Sequence, residues 1–295
     1  TPMLPFAAMH EPGPKQLLDG AALAGGQSPE KDLDDALDAI AAHPNVGPFI
    51  SRQLIQRLVT SNPSPAYIAR VTAVFNDNGQ GVRGDLRAVV QAILLDAEAR
   101  GEDARTRERF GKQREPVIRF TNLLRSLGAT TASPSGRTDL HRTDQGGDLL
   151  GQSPLLAPSV FNFFSPNYRH AGVLAQAGLV APEFQATTEA TVVGLFNTFT
   201  HLINWGGHGW DEGTGDGGGR LNLDMKTWEA LARSSPEACV DRLNSLLFNL
   251  QMSDATRTTL IGLIAPGPRN DWGVNVRLRK ALVFAAVSPD FVIQK

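Results

Sequence analysis

The stretch "DLRAVVQAILLDAEAR", residues 85–100, places Leu86, Val89, Val90, Ile93 and Leu94 along one face of a helix. A near echo, "RLRKALVFAAVSPDFVIQ" (residues 277–294), reads the same way: a basic amphipathic helix, then a turn and an acidic residue. Two copies are too few for a solenoid. Working outward, the punctuation stays helical. Ser28-Pro29 and Ser64-Pro65 each offer an N-cap followed by proline at the first helical position. Leu33, Ala36, Leu37, Ile40 and Ala41 fall on one stripe that His43-Pro44 ends. Ile50, Leu54 and Leu58, with Ile55 and Val59, mark a second helix; Ile68, Val71, Val74 and Phe75 mark a third, closed by "NDNGQG".

Beyond these, a helix is expected from Pro116 to about Leu127, stopped by Gly128. A long one is expected from Pro182 through Ile203, burying Val192, Leu195, Phe196, Phe199 and Ile203. Four more follow, capped at Asp224, Ser235, Ser253 and Asn270, with Val240, Leu243, Leu247 and Leu250 patterning the second. Alternating β-branched segments are scarce. The expectation is an all-α, multi-helical protein with an N-terminal four-helix unit and a C-terminal helical bundle, joined by long loops. Residues 1–101 would hold an arm and the four-helix unit, and 102–115, with nine charged side chains from 101 on, a solvated linker. Residues 116–220 would hold the central helix, an aromatic loop, the long helix and a glycine-rich loop, and 221–295 the bundle.

The chain has 295 residues, enough for one large or two modest domains. Its 28 basic and 30 acidic side chains nearly cancel, so no global field favours nucleic acid. No run approaches the roughly 18 apolar residues of a membrane span. Cys239 stands alone, which excludes an internal disulfide and fits a small core residue. The opening "TPMLPFAAMH" has neither an initiator Met nor a signal-peptide pattern, as in a processed form or a fragment.

Two places could carry chemistry. In "GGHGWDEGTGDGGG" (residues 206–219), Asp211, Glu212 and Asp216 put three carboxylates on a bendable backbone, the donor set a hard cation such as Ca²⁺ takes. The pattern is neither an EF-hand nor the nonapeptide calcium repeat, and a plain linker explains it as well. His201 and His208 flank Trp205 beside that loop at a spacing Zn²⁺ sites seldom use. In "VFNFFSPNYRH" (residues 160–170), Phe163, Phe164 and Tyr168 could line an apolar groove with Asn162 and Arg169 as polar contacts. The simpler reading is a loop pinned into the core by its aromatic rings, packed under Phe196 and Phe199. Tyr168, Arg169 and His170 at its polar end, with Asn162, are then the ligand-facing candidates. Nucleophile-elbow, P-loop and dinucleotide patterns are all missing from the sequence.

The phrases "HPNVGPFISRQLIQRLVTSNPSPAYIARVTAVF", "GVRGDLRAVVQAILLDAEAR", "REPVIRFTNLLRSL", "PSVFNFFSPNY", "LVAPEFQ", "DRLNSLLFNLQMSDATRTTLIGLI" and "SPDFVIQK" closely resemble a large bacterial family catalogued as domain of unknown function eighteen-hundred. The resemblance implies an exported, mostly helical protein of the periplasm, envelope or exterior. It also implies a partner: an exported protein resembling sulfatases and alkaline phosphatases, encoded nearby. The family's upstream acidic helix, Asn-Glu-Asn-x-Ala-Arg-Glu, does not occur here, so the chain resembles the C-terminal portion of a full member. The leading expectation is a non-catalytic binding or scaffold module acting with that partner. The alternative is a metal- or carboxylate-dependent hydrolase of an extracellular polymer, and a third is self-assembly through exposed apolar helix faces.

Overall fold

In a computed structural model of the chain, the described residues are 4–101, 109–131, 150–153, 155–160, 162–205, 221–267 and 272–295. Among them the protein is mainly α-helical, with β-structure limited to two-residue antiparallel pairs. Two compact units result: Thr1–Val59 with Pro63–Glu102, and Thr60–Asn62 with Asp103–Lys295. No described helix is long and apolar enough to cross a membrane.

The first unit opens with an arm whose strands β1 (Lys15–Gln16) and β2 (Ala22–Leu23) pair with each other. Five helices follow: α1 (Pro29–Ala42), α2 (Val46–Leu58), α3 (Pro65–Asn76), α4 (Leu86–Leu95) and the single turn α5 (Ala97–Arg100). Ser28 and Ser64 cap as their sequence predicts, each hydroxyl accepting a backbone N–H, from Lys31 and Tyr67 respectively. Tyr67, Val71 and Phe75 of α3 are buried, as are Val89 and Ile93 of α4. On α2 the inward stripe is rotated from the expected one and runs Gly47, Ser51, Ile55. Gly47 explains the rotation, because a Cβ there would lie only 3.0–3.2 Å from Asn76, Thr72 and Phe75 of α3. The two helices are that close.

Helix α1 departs furthest from expectation. Its only buried residue is Asp32, while Leu33, Leu37 and Ile40 are 56, 54 and 51% exposed. The Asp32 carboxylate meets His10 Nε2 at 2.7 Å and Lys15 Nζ at 2.6 Å, so the arm grips the polar side of the helix. At the other end, Arg83 donates to the carbonyls of Ala41 (2.9 Å) and His43 (3.1 Å), as a cation does at a helix C-terminus. Polar contacts hold the helix, and its apolar stripe faces water.

In the second unit, β3 (Lys112–Gln113) leads into α6 (Pro116–Ser126) and β4 (Thr130–Thr131). Then come the turn α7 (Val173–Gln176), α8 (Glu189–Trp205), β5 (Leu221–Asn222), α9 (Met225–Ser234), α10 (Pro236–Leu247), α11 (Asp254–Ile264), α12 (Val274–Val287), the turn α13 (Pro289–Val292) and β6 (Ile293–Gln294). Helices α8, α9 and α11 pack on α12, and α6, α9 and α11 on α10. Phe120, Leu123, Leu195, Phe199, Trp228, Val240, Leu243, Leu260, Leu278 and Leu282 belong to one core. Asp224, Ser235 and Ser253 cap α9, α10 and α11 through their side chains; the cap of α12 is Gly273, and Asn270 lies outside the described residues.

The long helix begins later than its proline suggests. Pro182–Ala186 is a separate 3₁₀ segment, and α8 starts where Thr188 and Thr191 cap each other, each hydroxyl accepting the other's backbone N–H (3.2 and 2.8 Å). Leu195, Phe199 and Ile203 are buried, but Val192 and Phe196 stand about half exposed. Leu250 is exposed too, because α10 ends at Leu247 and the chain then turns left-handed at Asn249 and Leu250 (φ +51° and +63°).

Candidate functional site

The aromatic loop is anchored from both ends. Phe164 is buried, the Ser165 N–H donates to Gln185 Oε1 (2.7 Å), and the Tyr168 carbonyl accepts from the Ala181 N–H (2.8 Å). Asn62 then reads the preceding residue as a strand neighbour would, accepting the Val180 N–H and donating to its carbonyl, both at 2.9 Å. Asn162 takes the left-handed turn (φ +71°) that asparagine tolerates. The rings of Tyr168 and His170 lie 6.5 Å apart, and those of His170 and Phe184 5.2 Å apart. Tyr168 and His170 therefore share one half-buried aromatic group with Phe184, whereas Asn162 and Arg169 are exposed. His170 Nδ1 is buried there without a hydrogen-bond partner.

Asp211, Glu212, Asp216 and His208 lie outside the described residues. His201 is on α8, its ring 4.9 Å from that of Trp205. Among the described residues, no three His, Cys, Asp or Glu side chains are grouped to hold a metal. Burial raises the Cys239 thiol to about 11, which suits a packed core residue and not a nucleophile.

The densest polar chemistry sits where a solvated linker is expected. Lys112, Gln113 and Arg114 are buried, because β3 pairs with β6 and draws the segment inside. Lys112 Nζ meets Glu183 Oε1 at 2.7 Å, with side-chain exposures of 5 and 1%. Gln113 Nε2 donates to Thr187 Oγ1 (2.8 Å), and Gln152 bridges the Val117 N–H (3.1 Å) and the Glu115 carboxylate (2.6 Å). Arg114 donates to the Leu247 carbonyl (2.8 Å) at the C-terminus of α10 and lies 5.0 Å over the Phe291 ring. Arg119, on α6, is buried with Nε and Nη2 unpartnered. Burial pulls Arg119 down to about 10, helped by the charge of Arg114, and burial also lowers Arg114. Both remain cations at neutral pH. The sequence does signal this seam through "KQREP" and "APEF", but neither phrase says that the other is its partner.

A depression of about 600 Å³ near the chain's end is lined by Leu250, Gln251, Pro289, Asp290, Ile293 and Lys295. Asp290 there is engaged structurally, accepting from the Ser253 N–H (2.9 Å) and Oγ (2.6 Å).

The model of the family described as "Protein of unknown function (DUF1800)" matches residues 3–293, essentially the whole chain. No curated protein matches the chain, and no solved structure does.

Proposed function

The chain belongs to the family of proteins of unknown function DUF1800, and from that premise we propose that it is a binding module that docks a second protein on helix α1. One observation carries the reading: Leu33, Leu37 and Ile40, at i, i+4 and i+7, form an apolar stripe more than half exposed on a helix whose one buried residue is an aspartate. A surface helix ordinarily turns such a stripe toward a core. An unpartnered one is what helix-in-groove recognition uses.

The flanks of the stripe define the partner's chemistry. Glu30, Asp34 and Asp38 are exposed on the same helix. An apolar groove rimmed by lysine or arginine complements that face, with the charges governing encounter and the leucines the residence time. The family resemblance supports an exported bacterial setting and, as the partner, an exported protein resembling sulfatases and alkaline phosphatases.

The test is calorimetric titration of that partner into the purified chain and into a Leu37→Lys variant. Saturable binding should weaken by about tenfold or more in the variant, the loss of one interfacial anchor worth about 1.4 kcal/mol or more. Equal affinities for the two proteins, or no binding to the wild type, would reject the reading. If the chain instead self-associates and Leu37→Lys makes it monomeric, the occupant of the stripe is a second copy.

A further inference from the structure

We propose that Arg114 and Arg119 are the cationic half of a buried anion site in the second unit, completed by a small oxyanion of the phosphate, sulfate or carboxylate type. The two side chains are 6 and 5% exposed. Arg119 lies in the first turn of α6, five residues beyond Arg114, and the charge of Arg114 opposes its own. Among the described residues, neither makes an ion pair with a carboxylate: Glu183 is held by Lys112 and Glu115 by Gln152. Arg114 has an acceptor in the Leu247 carbonyl, but Arg119 Nε and Nη2, two edges of a donor fork, have none.

A guanidinium cannot shed its proton at neutral pH, so this site lacks the usual escape of a buried charge. Leaving such a charge uncompensated costs several kcal/mol. Water would satisfy the donors without offsetting two adjacent positive charges. An oxyanion does both, and the planar fork of arginine matches its paired oxygens. With so little of either side chain exposed, the ion has to be small. This inference does not depend on what α1 binds.

The experiment follows the melting temperature of the whole chain at fixed ionic strength, replacing chloride stepwise with phosphate, sulfate or acetate, alongside an Arg119→Met variant. A ligand that binds only the folded state raises the melting temperature saturably. The wild type should respond in this way to at least one oxyanion and the variant to none. In chloride alone the variant should melt at or above the wild type, because it removes an uncompensated charge. If the wild type responds no more than the variant to all three ions, or if the variant melts several degrees lower in chloride, the proposal is overturned. An Arg119→Lys variant reads the same site a second way. Lysine keeps the charge but not the fork, so its apparent affinity should fall about fivefold or more, and an unchanged response again overturns the proposal. The three ions separate tetrahedral from carboxylate preference.

Discussion

Replacing Leu37 with lysine tests whether the α1 stripe is free in the folded protein. Fully burying a leucine is worth about 1.5–3 kcal/mol. Leu37 is 54% exposed, so less than half of its surface has left water. The substitution therefore puts about 1 kcal/mol or less at stake. Lysine matches leucine in helix propensity to within a few tenths of a kcal/mol, and position 37 sits beside Asp34 and Asp38. Ile93 of α4, fully buried in the same unit, gives the contrast. Ile93→Ala should cost about 2–5 kcal/mol in lost transfer energy and cavity formation. For a unit of this size each kcal/mol moves the midpoint by about 4–8 °C. Thermal unfolding followed by circular dichroism should show a fall of under about 8 °C for Leu37→Lys and of at least about 8–10 °C for Ile93→Ala. If Leu37→Lys loses as much as Ile93→Ala, the stripe is covered in the folded chain and cannot be a docking face.

Other outcomes follow from the same contacts. Glu183→Gln should cost about 3–5 kcal/mol in chemical denaturation by leaving the buried Lys112 charge without its carboxylate; a Lys112→Met/Glu183→Leu double variant should recover most of that, and equal losses would refute the pairing. Lys15 and His10, against the opposing effect of burial, hold the Asp32 carboxyl below its ordinary range, and Arg70 does the same for Asp96. Depressed carboxylates stabilise the fold above their unfolded value of about 4, and lose that contribution as pH falls through the lower folded value. The first unit should therefore hold its stability from pH 7 to about 5 and lose it steeply below about 4; Asp32→Asn should flatten that slope in a melting series over pH. Gly47→Ala should destabilise by about 1 kcal/mol, because close contacts with α3 outweigh the helix propensity gained. Gly262→Ala on α11, where a Cβ meets nothing within 4 Å, should stabilise by up to about 1 kcal/mol, and denaturant midpoints of both variants check the contrast.

Helices and caps were legible because they are local. Ser28, Ser64, Asp224, Ser235 and Ser253 bond backbone within the next turn, so a few residues of sequence contain the whole interaction. Periodicity says that a helix has an apolar face but not what covers it. Leu33, Leu37 and Ile40 read like Val89 and Ile93, yet only the latter pair is buried. The deciding contacts at α1 come from His10, Lys15 and Arg83, all distant in sequence. Likewise a charged run reads as solvated unless its partners are known. Lys112 is paired by Glu183 and Arg114 donates to the end of α10, neither visible from residues 101–115 alone. In the aromatic loop, the sequence identified a group of large rings, and the fold sorted them: Phe164 inside, Tyr168 and His170 against Phe184, Arg169 outside.

Hydrogen–deuterium exchange of the chain with and without its exported partner tests the docking claim most directly. Exchange over Pro29–Ala42 should slow in the complex, with salt-sensitive onset. Binding that leaves α1 exchanging as in the free chain would contradict it.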